Sequence, residues 1–343
     1  MTTAFGFNPS HVHHYEPGHV ERPERLEAIR ERLSSSPNWN RLQHVDPMAV
    51  DLDVARLVHR RTYLERLQQA LQRAPARLDP DTYVQPESLT VALEAVGTLL
   101  AVTRAVLDGH ADNGFAAIRP PGHHATPERA MGFCLLSNVA IAVRWAQQTF
   151  GVERVAIVDF DVHHGNGTQE VFYEDPNVLF ISVHQFPHYP GTGRMEEIGE
   201  GRGRGATVNV PLPPFTGDAG YLEVFRRLLG PIVRRFRPEV LFVSAGYDAH
   251  WRDPLSAMQL TVAGFAQLVY ELMEWADACC DNRLVAALEG GYDAETLAAS
   301  VEATVARLLD PLADIEDPIG PSPHEPTDVR DLIYELRLLH KVA

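Results

Sequence analysis

Five short apolar runs, separated by longer stretches with helical spacing, constrain this chain more than any other feature of its sequence. They cover residues 114–118, 155–159, 178–183, 240–244 and 284–288. Each is hydrophobic throughout rather than alternating, which is the pattern of a parallel strand covered on both faces. Residues 88–107, 135–149, 219–235, 262–276 and 294–309 carry helical spacing between and after them. Strand alternating with helix predicts an α/β fold with a doubly wound, mostly parallel sheet and helices on both faces. Arg22-Pro23-Glu24-Arg25-Leu26 opens a further helix, with a proline in its first turn. Residues 1–309 read as one domain. The Pro- and Asp-rich stretch 310–327 and a terminal helix over 328–339 read as an extension, 310–343, that packs on the body or on a second subunit.

Composition narrows the function classes. The chain has 343 residues, of which 45% are hydrophobic and 22% charged, enough for a substantial core. No continuous apolar run of 18 residues is evident, so no membrane span is expected. The first ten residues lack a basic stretch leading into an apolar one, so no signal peptide is read and a cytoplasmic location is expected. Acidic residues outnumber basic ones 46 to 30, a net charge of −16. Such a surface disfavours direct nucleic-acid binding and attracts cationic substrates. Cys134, Cys279 and Cys280 form neither a disulfide framework nor a Cys-x-x-Cys knuckle, which leaves His, Asp and Glu to hold any metal.

In open α/β sheets, ligands sit beyond the carboxyl ends of the strands. The run 155–159 leads into Asp159-Phe160-Asp161-Val162-His163-His164-Gly165-Asn166-Gly167. In extended backbone, residues two apart point the same way, so Asp161 and His163 can present an oxygen and a nitrogen to one point. The run 240–244 ends in Ala245-Gly246-Tyr247-Asp248, adding a carboxylate at the same sheet edge. Three N/O ligands with an open fourth position suit a catalytic zinc. The run 114–118 delivers Arg119-Pro120-Pro121-Gly122-His123-His124, and imidazole is the side chain best poised for proton transfer near neutrality. The last run delivers Glu289-Gly290-Gly291-Tyr292: the glycines let backbone approach a ligand, and the tyrosine can donate to a developing oxyanion. His13-His14, by contrast, read as exposed loop residues.

With these stretches the chain resembles the histone deacetylase / acetylpolyamine amidohydrolase / acetoin-utilization family, closest to its class II-like bacterial branch. Gly132-Phe133-Cys134 and Pro190-Gly191-Thr192-Gly193 also match, and the motifs run in family order over nearly the whole chain. The resemblance implies an arginase/deacetylase-like fold with an eight-stranded sheet and one zinc on Asp161, His163 and Asp248. It implies a structural potassium at Asp159, Asp161, His163, Ser182 and Val183. His124 is the implied general base, His123 the partner of Asp159, and Tyr292 the oxyanion donor. Many relatives carry Asp where this chain has Asn166, the implied partner of His124; the class II and bacterial branches share the Asn. Gly132, Phe133, Tyr189 and Gly290 would line an acyl-lysine tunnel, and Asp81, with Asp79 as a competitor, would hold substrate backbone at the rim. Relatives acting on acetylated polyamines carry an acidic residue seven positions after the last zinc ligand; here that position is Leu255.

The expected activity is therefore removal of acetyl or short acyl groups from the ε-amine of lysine in peptides or proteins, with acetylpolyamine hydrolysis the alternative. An arginase-like ureohydrolase would need bridging carboxylates for a second metal, and Gly246-Tyr247-Asp248 offers only one before Asp253. An inactive acyl-lysine binding module fits poorly with retention of the ligands, both histidines and Tyr292. A homo-oligomer remains compatible with all of these.

Overall fold

The computed structural model describes residues 1–342; Ala343, the last residue of the expected extension, lies outside them. Eight strands form the central sheet: β1 (Thr3–Phe7), β2 (Gln43–Val45), β3 (Asn113–Ala117), β4 (Val155–Asp159), β5 (Val178–Gln185), β6 (Thr207–Leu212), β7 (Val240–Ala245) and β8 (Leu284–Leu288). Their order is β2-β1-β3-β8-β7-β4-β5-β6, and every neighbouring pair is parallel. The expected mostly parallel sheet is thus wholly parallel. Asp159 of β4 sits in register with Ser182 of β5 on one side and Ser244 of β7 on the other, so β4 and β7 end together while β5 runs on to Gln185.

Both faces of the sheet are covered, which is why its strands read as unbroken apolar runs. One face packs helices Glu24–Ser34, Val262–Cys280 and Ala294–Leu309 in a core that includes Phe5, Phe115, Trp275 and Leu308. The other packs helices Ser88–Leu107 and Asn138–Phe150 around Leu99, Ile141, Phe180 and Phe242. Helix Ser88–Leu107 is long and apolar enough to cross a membrane by length and composition, which the sequence reading missed. Most of that apolar stretch is buried inside the molecule, where it serves as a core helix.

Local chemistry sets the helix ends. The Thr261 hydroxyl accepts the Gly264 N–H and the Asp293 carboxylate accepts the Thr296 N–H, satisfying donors that a helix start leaves free. Gly151 closes helix Asn138–Phe150 at φ 69°, a left-handed position that costs glycine nothing. The stretch expected as one helix over 219–235 has three parts, Asp218–Val224, a π-turn at Phe225–Leu229, and Gly230–Phe236. Pro231 has no N–H to give the preceding turn, and the ladder widens there, with the Gly230 N–H reaching Phe225 O.

The extension lies against the body. Trp251 Nε1 donates to Gly320 O (3.1 Å), the Ala263 N–H to Asp317 (3.1 Å) and the Thr327 N–H to Phe215 O (2.9 Å). Its helix runs Arg330–Leu339, two residues later than expected at the start, and buries Ile333 and Leu336. His14 is a correction: it is buried, stacked on Tyr83 (4.3 Å) and bonded to Ser88 Oγ (2.7 Å). Only His13 of that pair is exposed.

Candidate metal centre and active site

Beyond the ends of β4 and β7 the structure brings Asp161, His163 and Asp248 together, with a ligand atom from each lying within 4.8 Å of the others. Nitrogen and oxygen donors meet at short range: His163 Nδ1 is 3.1 Å from Asp161 Oδ1 and 3.2 Å from Asp248 Oδ2. Asp248 Oδ2 is fully buried and makes no hydrogen bond of adequate geometry, although its other oxygen accepts the Val162 N–H (2.9 Å). A buried carboxylate oxygen left without a donor costs heavily unless something positive meets it. Two carboxylates and an imidazole converging on such an oxygen fit a divalent cation of the zinc type.

The titration pattern agrees with that fit. Burial works against the charge on Asp161, but His123 and His163 hold its carboxyl well below the ordinary range. Burial also opposes the imidazolium of His163, yet the carboxylates of Asp161 and Asp248 push it up to about 10. Asp248 is raised by burial and by the neighbouring Asp161. Protons bound this tightly stand in for positive charge that the three ligands want between them.

Backbone close to the cluster is glycine by necessity. A β-carbon on Gly290 would collide with Asp248 and one on Gly246 with Asp161, while the Gly290 N–H donates to Asp161 Oδ2 (2.8 Å). Gly132 (φ 55°) leaves no room for a β-carbon beside the His124 ring.

The tandem histidines sit over the cluster. His123 Nδ1 is 3.0 Å from Asp159 Oδ2, and His124 Nδ1 is 2.8 Å from Asn166 Oδ1. Burial lowers both, but Asp161 and Asp159 raise His123 well above the ordinary imidazole value. His124 goes the other way, driven well down by burial and by the charges of His123 and His163. Tyr292 follows the Gly290-Gly291 pair after β8. Its N–H donates to Asp253 (2.7 Å), its ring lies under the Arg25 guanidinium (4.9 Å), and its hydroxyl has no hydrogen-bond partner within the described residues.

Aromatic rings wall the approach. Phe133 holds a positive φ of 69°, a conformation that costs a side chain about 1–2 kcal/mol and often marks a functional turn. It meets Tyr292 edge-on at 5.8 Å, and Tyr189 meets His124 edge-on at 5.1 Å. At the rim, Asp79 accepts the N–H groups of Asp81 (3.0 Å) and Thr82 (2.6 Å) and so caps a turn. Asp81 takes only the Thr82 hydroxyl (3.3 Å), and burial with neighbouring Asp79 pushes its carboxyl up to about 6. Leu255 is half-buried in the loop after β7, and Ser182 and Val183 lie buried on β5.

Several residues of the site carried no role in the sequence reading. Glu289 accepts the Gly122 and His123 N–H groups (2.6 and 3.2 Å) and the Ser244 hydroxyl (3.1 Å), joining the ends of β3, β7 and β8. Buried Glu21 takes two bonds from Arg119 (2.8 and 2.7 Å) and one from Arg25 (3.2 Å), and Arg25 in turn grips the Gly291 and Glu289 carbonyls (2.6 Å each). His19 packs edge-on to Phe133 (4.8 Å), and His188 stacks on His163 (4.9 Å). The only hint was their position, inside or beside the quoted motifs. A surface cavity of about 980 Å³ lies elsewhere and touches this constellation through Asn166.

Comparison with known proteins gives a consistent picture. The family model described as the histone deacetylase domain matches residues 19–308. A protein of Archaeoglobus fulgidus named a probable deacetylase is 43% identical over 298 residues, 86% of this chain and 82% of its own. A histone deacetylase-like amidohydrolase of Pseudomonas aeruginosa is 40% identical, over 88% of this chain and 80% of its own. Among solved structures, the HDA15 HD domain superposes with a TM-score of 0.84 at 35% identity, over 90% of this chain and 91% of that one.

Proposed function

The chain belongs to the histone deacetylase family, and from that premise we propose that it is a zinc-dependent hydrolase of acylated lysine. It removes acetyl or short acyl groups from the ε-amine of lysine in peptides or proteins, with one zinc on Asp161, His163 and Asp248. The observation that carries this reading is the buried, donorless Asp248 Oδ2 within the three-ligand cluster, directly beside an imidazole pair. A catalytically inert binding module would have no use for that arrangement.

When bound, zinc supplies Lewis-acid polarisation of the acyl carbonyl and of an attacking water. The protein's residues do the rest. Asn166 Oδ1 can only accept, so His124 carries its hydrogen on Nδ1 and keeps a lone pair on Nε2. Its low basicity keeps that lone pair free at neutral pH, and it takes the water's proton, then delivers one to the leaving amine. His123, charged through Asp159, favours the negative charge that develops nearby. The Tyr292 hydroxyl, otherwise unpartnered, donates to the oxyanion. Gly132, Phe133, Tyr189 and Gly290 confine the lysine methylenes, and Asp81 receives substrate backbone N–H groups.

The same reading includes a structural potassium at Asp159, Asp161, His163, Ser182 and Val183, supported by the register pairing of Asp159 with Ser182. It also includes a catalytic domain over 1–309 with an extension over 310–343, supported by the end of the family match at residue 308. A cytoplasmic setting is supported by three free cysteines, and avoidance of nucleic acid by the net charge of −16. A homo-oligomer is compatible with it.

The test is metal reconstitution. A chelator should abolish turnover of an acetyl-lysine peptide, and one equivalent of zinc per chain should restore it. Two tightly bound metals per chain, or full activity in Asp248→Ala, would overturn the reading.

A further inference from the structure

Two loops wall the approach to the metal cluster, and one imidazole joins them. His188 lies in the loop between β5 and β6, directly before Tyr189. Its ring lies nearly parallel to that of His163, with centroids 4.9 Å apart and planes 19° apart. Its Nε2 is 2.8 Å from the backbone oxygen of Leu255, in the loop after β7. A carbonyl oxygen only accepts, so Nε2 carries the hydrogen and the ring is held at both its face and its edge.

The Leu255 loop is tied elsewhere by bonds that point inward. The Leu255 and Tyr292 N–H groups both donate to Asp253 (2.9 and 2.7 Å). The Ser256 hydroxyl donates to Asp248 O (2.5 Å), and the Ala257 N–H donates to Gln185 Oε1 (2.8 Å). The Leu255 carbonyl is the point at which the loop's outer edge is drawn across to the wall that bears Tyr189. A phenyl ring at 188 would keep the stacking contact but could not make this link.

We infer that His188 is a specificity-determining positioning residue, which pins Leu255 to the Tyr189 wall and so fixes the width of the acyl-lysine channel. This inference rests on the deacetylase reading of the site. With the pin in place the mouth keeps one width, suited to a narrow linear acyl chain. Without it Leu255 can swing outward, and branched acyl groups gain entry relative to acetyl.

Two variants separate the link from the packing. His188→Phe keeps a ring on His163 and removes the donor; His188→Gln removes the ring and returns an N–H at similar reach. Two quantities are read on each. One is the ratio of catalytic efficiencies for acetyl-lysine and isobutyryl-lysine peptides, and the other is hydrogen exchange at the Leu255 and Ala257 amides, which reports loop opening without any turnover. Loss of one hydrogen bond corresponds to about a threefold change or more. His188→Phe should lower the ratio and quicken exchange by at least that factor, while His188→Gln stays near wild type in both. If His188→Phe behaves as wild type in either readout, the inference fails. If His188→Gln is altered as much as His188→Phe, packing rather than the link is the determinant, and the inference fails too. A wild-type enzyme inactive on every acyl-lysine peptide would overturn the deacetylase reading instead, and the exchange comparison would still judge the pin.

Discussion

His123 and His124 are neighbours in sequence with opposite basicity: Asp161 and Asp159 raise His123 against its burial, while burial and the charges of His123 and His163 lower His124, and the partner at each Nδ1 adds to the contrast. Asp159 brings a carboxylate to His123, whereas Asn166 brings only an amide oxygen to His124. Burial disfavours charge on both rings, so the one without a carboxylate becomes the neutral one. A base whose basicity is lowered keeps its lone pair to lower pH, so the acidic limb of the rate–pH profile should lie below the ordinary imidazole value of about 6.5. Asn166→Asp supplies the missing carboxylate, raises the basicity of His124, and should move that limb to higher pH. A profile of kcat against pH for the two proteins checks this, and an unmoved limb would remove His124 from the role of base. Tyr292 faces a simpler trial. Loss of a preorganised oxyanion donor costs about 100- to 1000-fold in turnover. Tyr292→Phe should fall by that much while still binding a hydroxamate inhibitor, and a loss of only a few-fold would assign the donor elsewhere.

At the scale of elements, what the sequence disclosed depended on burial on both sides. β4, β5, β7 and β8 are covered on both faces, and their unbroken apolar runs were legible. β2 and β6 are edge strands and β1 joins β2 near the N-terminus; polar residues, a glycine or a proline interrupt each of them, so none forms an unbroken apolar run and they were not read. The metal ligands were legible because each directly follows a readable strand. The bonds that brace them were not, because they join distant segments: Glu21 to Arg119 across 98 residues, and His188 to Leu255 across 67. The first of these governs stability. Burial would raise the Glu21 carboxyl, but the charge of Arg119, its hydrogen bonds and Arg25 bring it down to about 2 from an ordinary 4.5. A group depressed on folding stabilises the fold fully above its unfolded value and loses that contribution as pH falls through its folded value. Stability from Glu21 is thus complete above about pH 4.5 and declines between there and about pH 2. Breaking a buried ion pair by removing one partner costs about 3–5 kcal/mol. Glu21→Gln should lose that much at pH 7 in urea denaturation, and its thermal midpoint should drop less steeply than wild type between pH 5 and 2.5. Equal midpoints at pH 7 would mean that the network is not what anchors the N-terminal loop.

For the whole molecule, long-range charge and local chemistry pull substrate choice in opposite directions. A net charge of −16 draws any cation toward the surface, polyamines included, and raises encounter rates more than it discriminates. Discrimination depends on the rim. An acetylated polyamine carries a second ammonium that must lose water at the channel mouth, and desolvating a charge without a partner is costly. Leu255 offers that ammonium no charge. Its carbonyl, which could have served as a partner, is already engaged by His188. Asp81 lies beside Asp79 at the rim, and its raised titration makes it a poorer counter-ion near pH 6 than an isolated carboxylate. A peptide avoids the problem, because its backbone stays outside in water and needs only acceptors such as Asp81. The enzyme should therefore prefer an acetyl-lysine peptide to acetylputrescine when catalytic efficiencies are compared on one preparation. Leu255→Glu adds a carboxylate where the second ammonium would rest, while leaving the Leu255 backbone and its link to His188 available. It should shift the ratio toward acetylputrescine by about tenfold, on the order of one charge-assisted bond. That shift should shrink at high salt if it is electrostatic. A tenfold preference of the wild-type enzyme for acetylputrescine would replace the peptide assignment with the polyamine one, and an unshifted ratio in Leu255→Glu would remove Leu255 from the mouth of the channel.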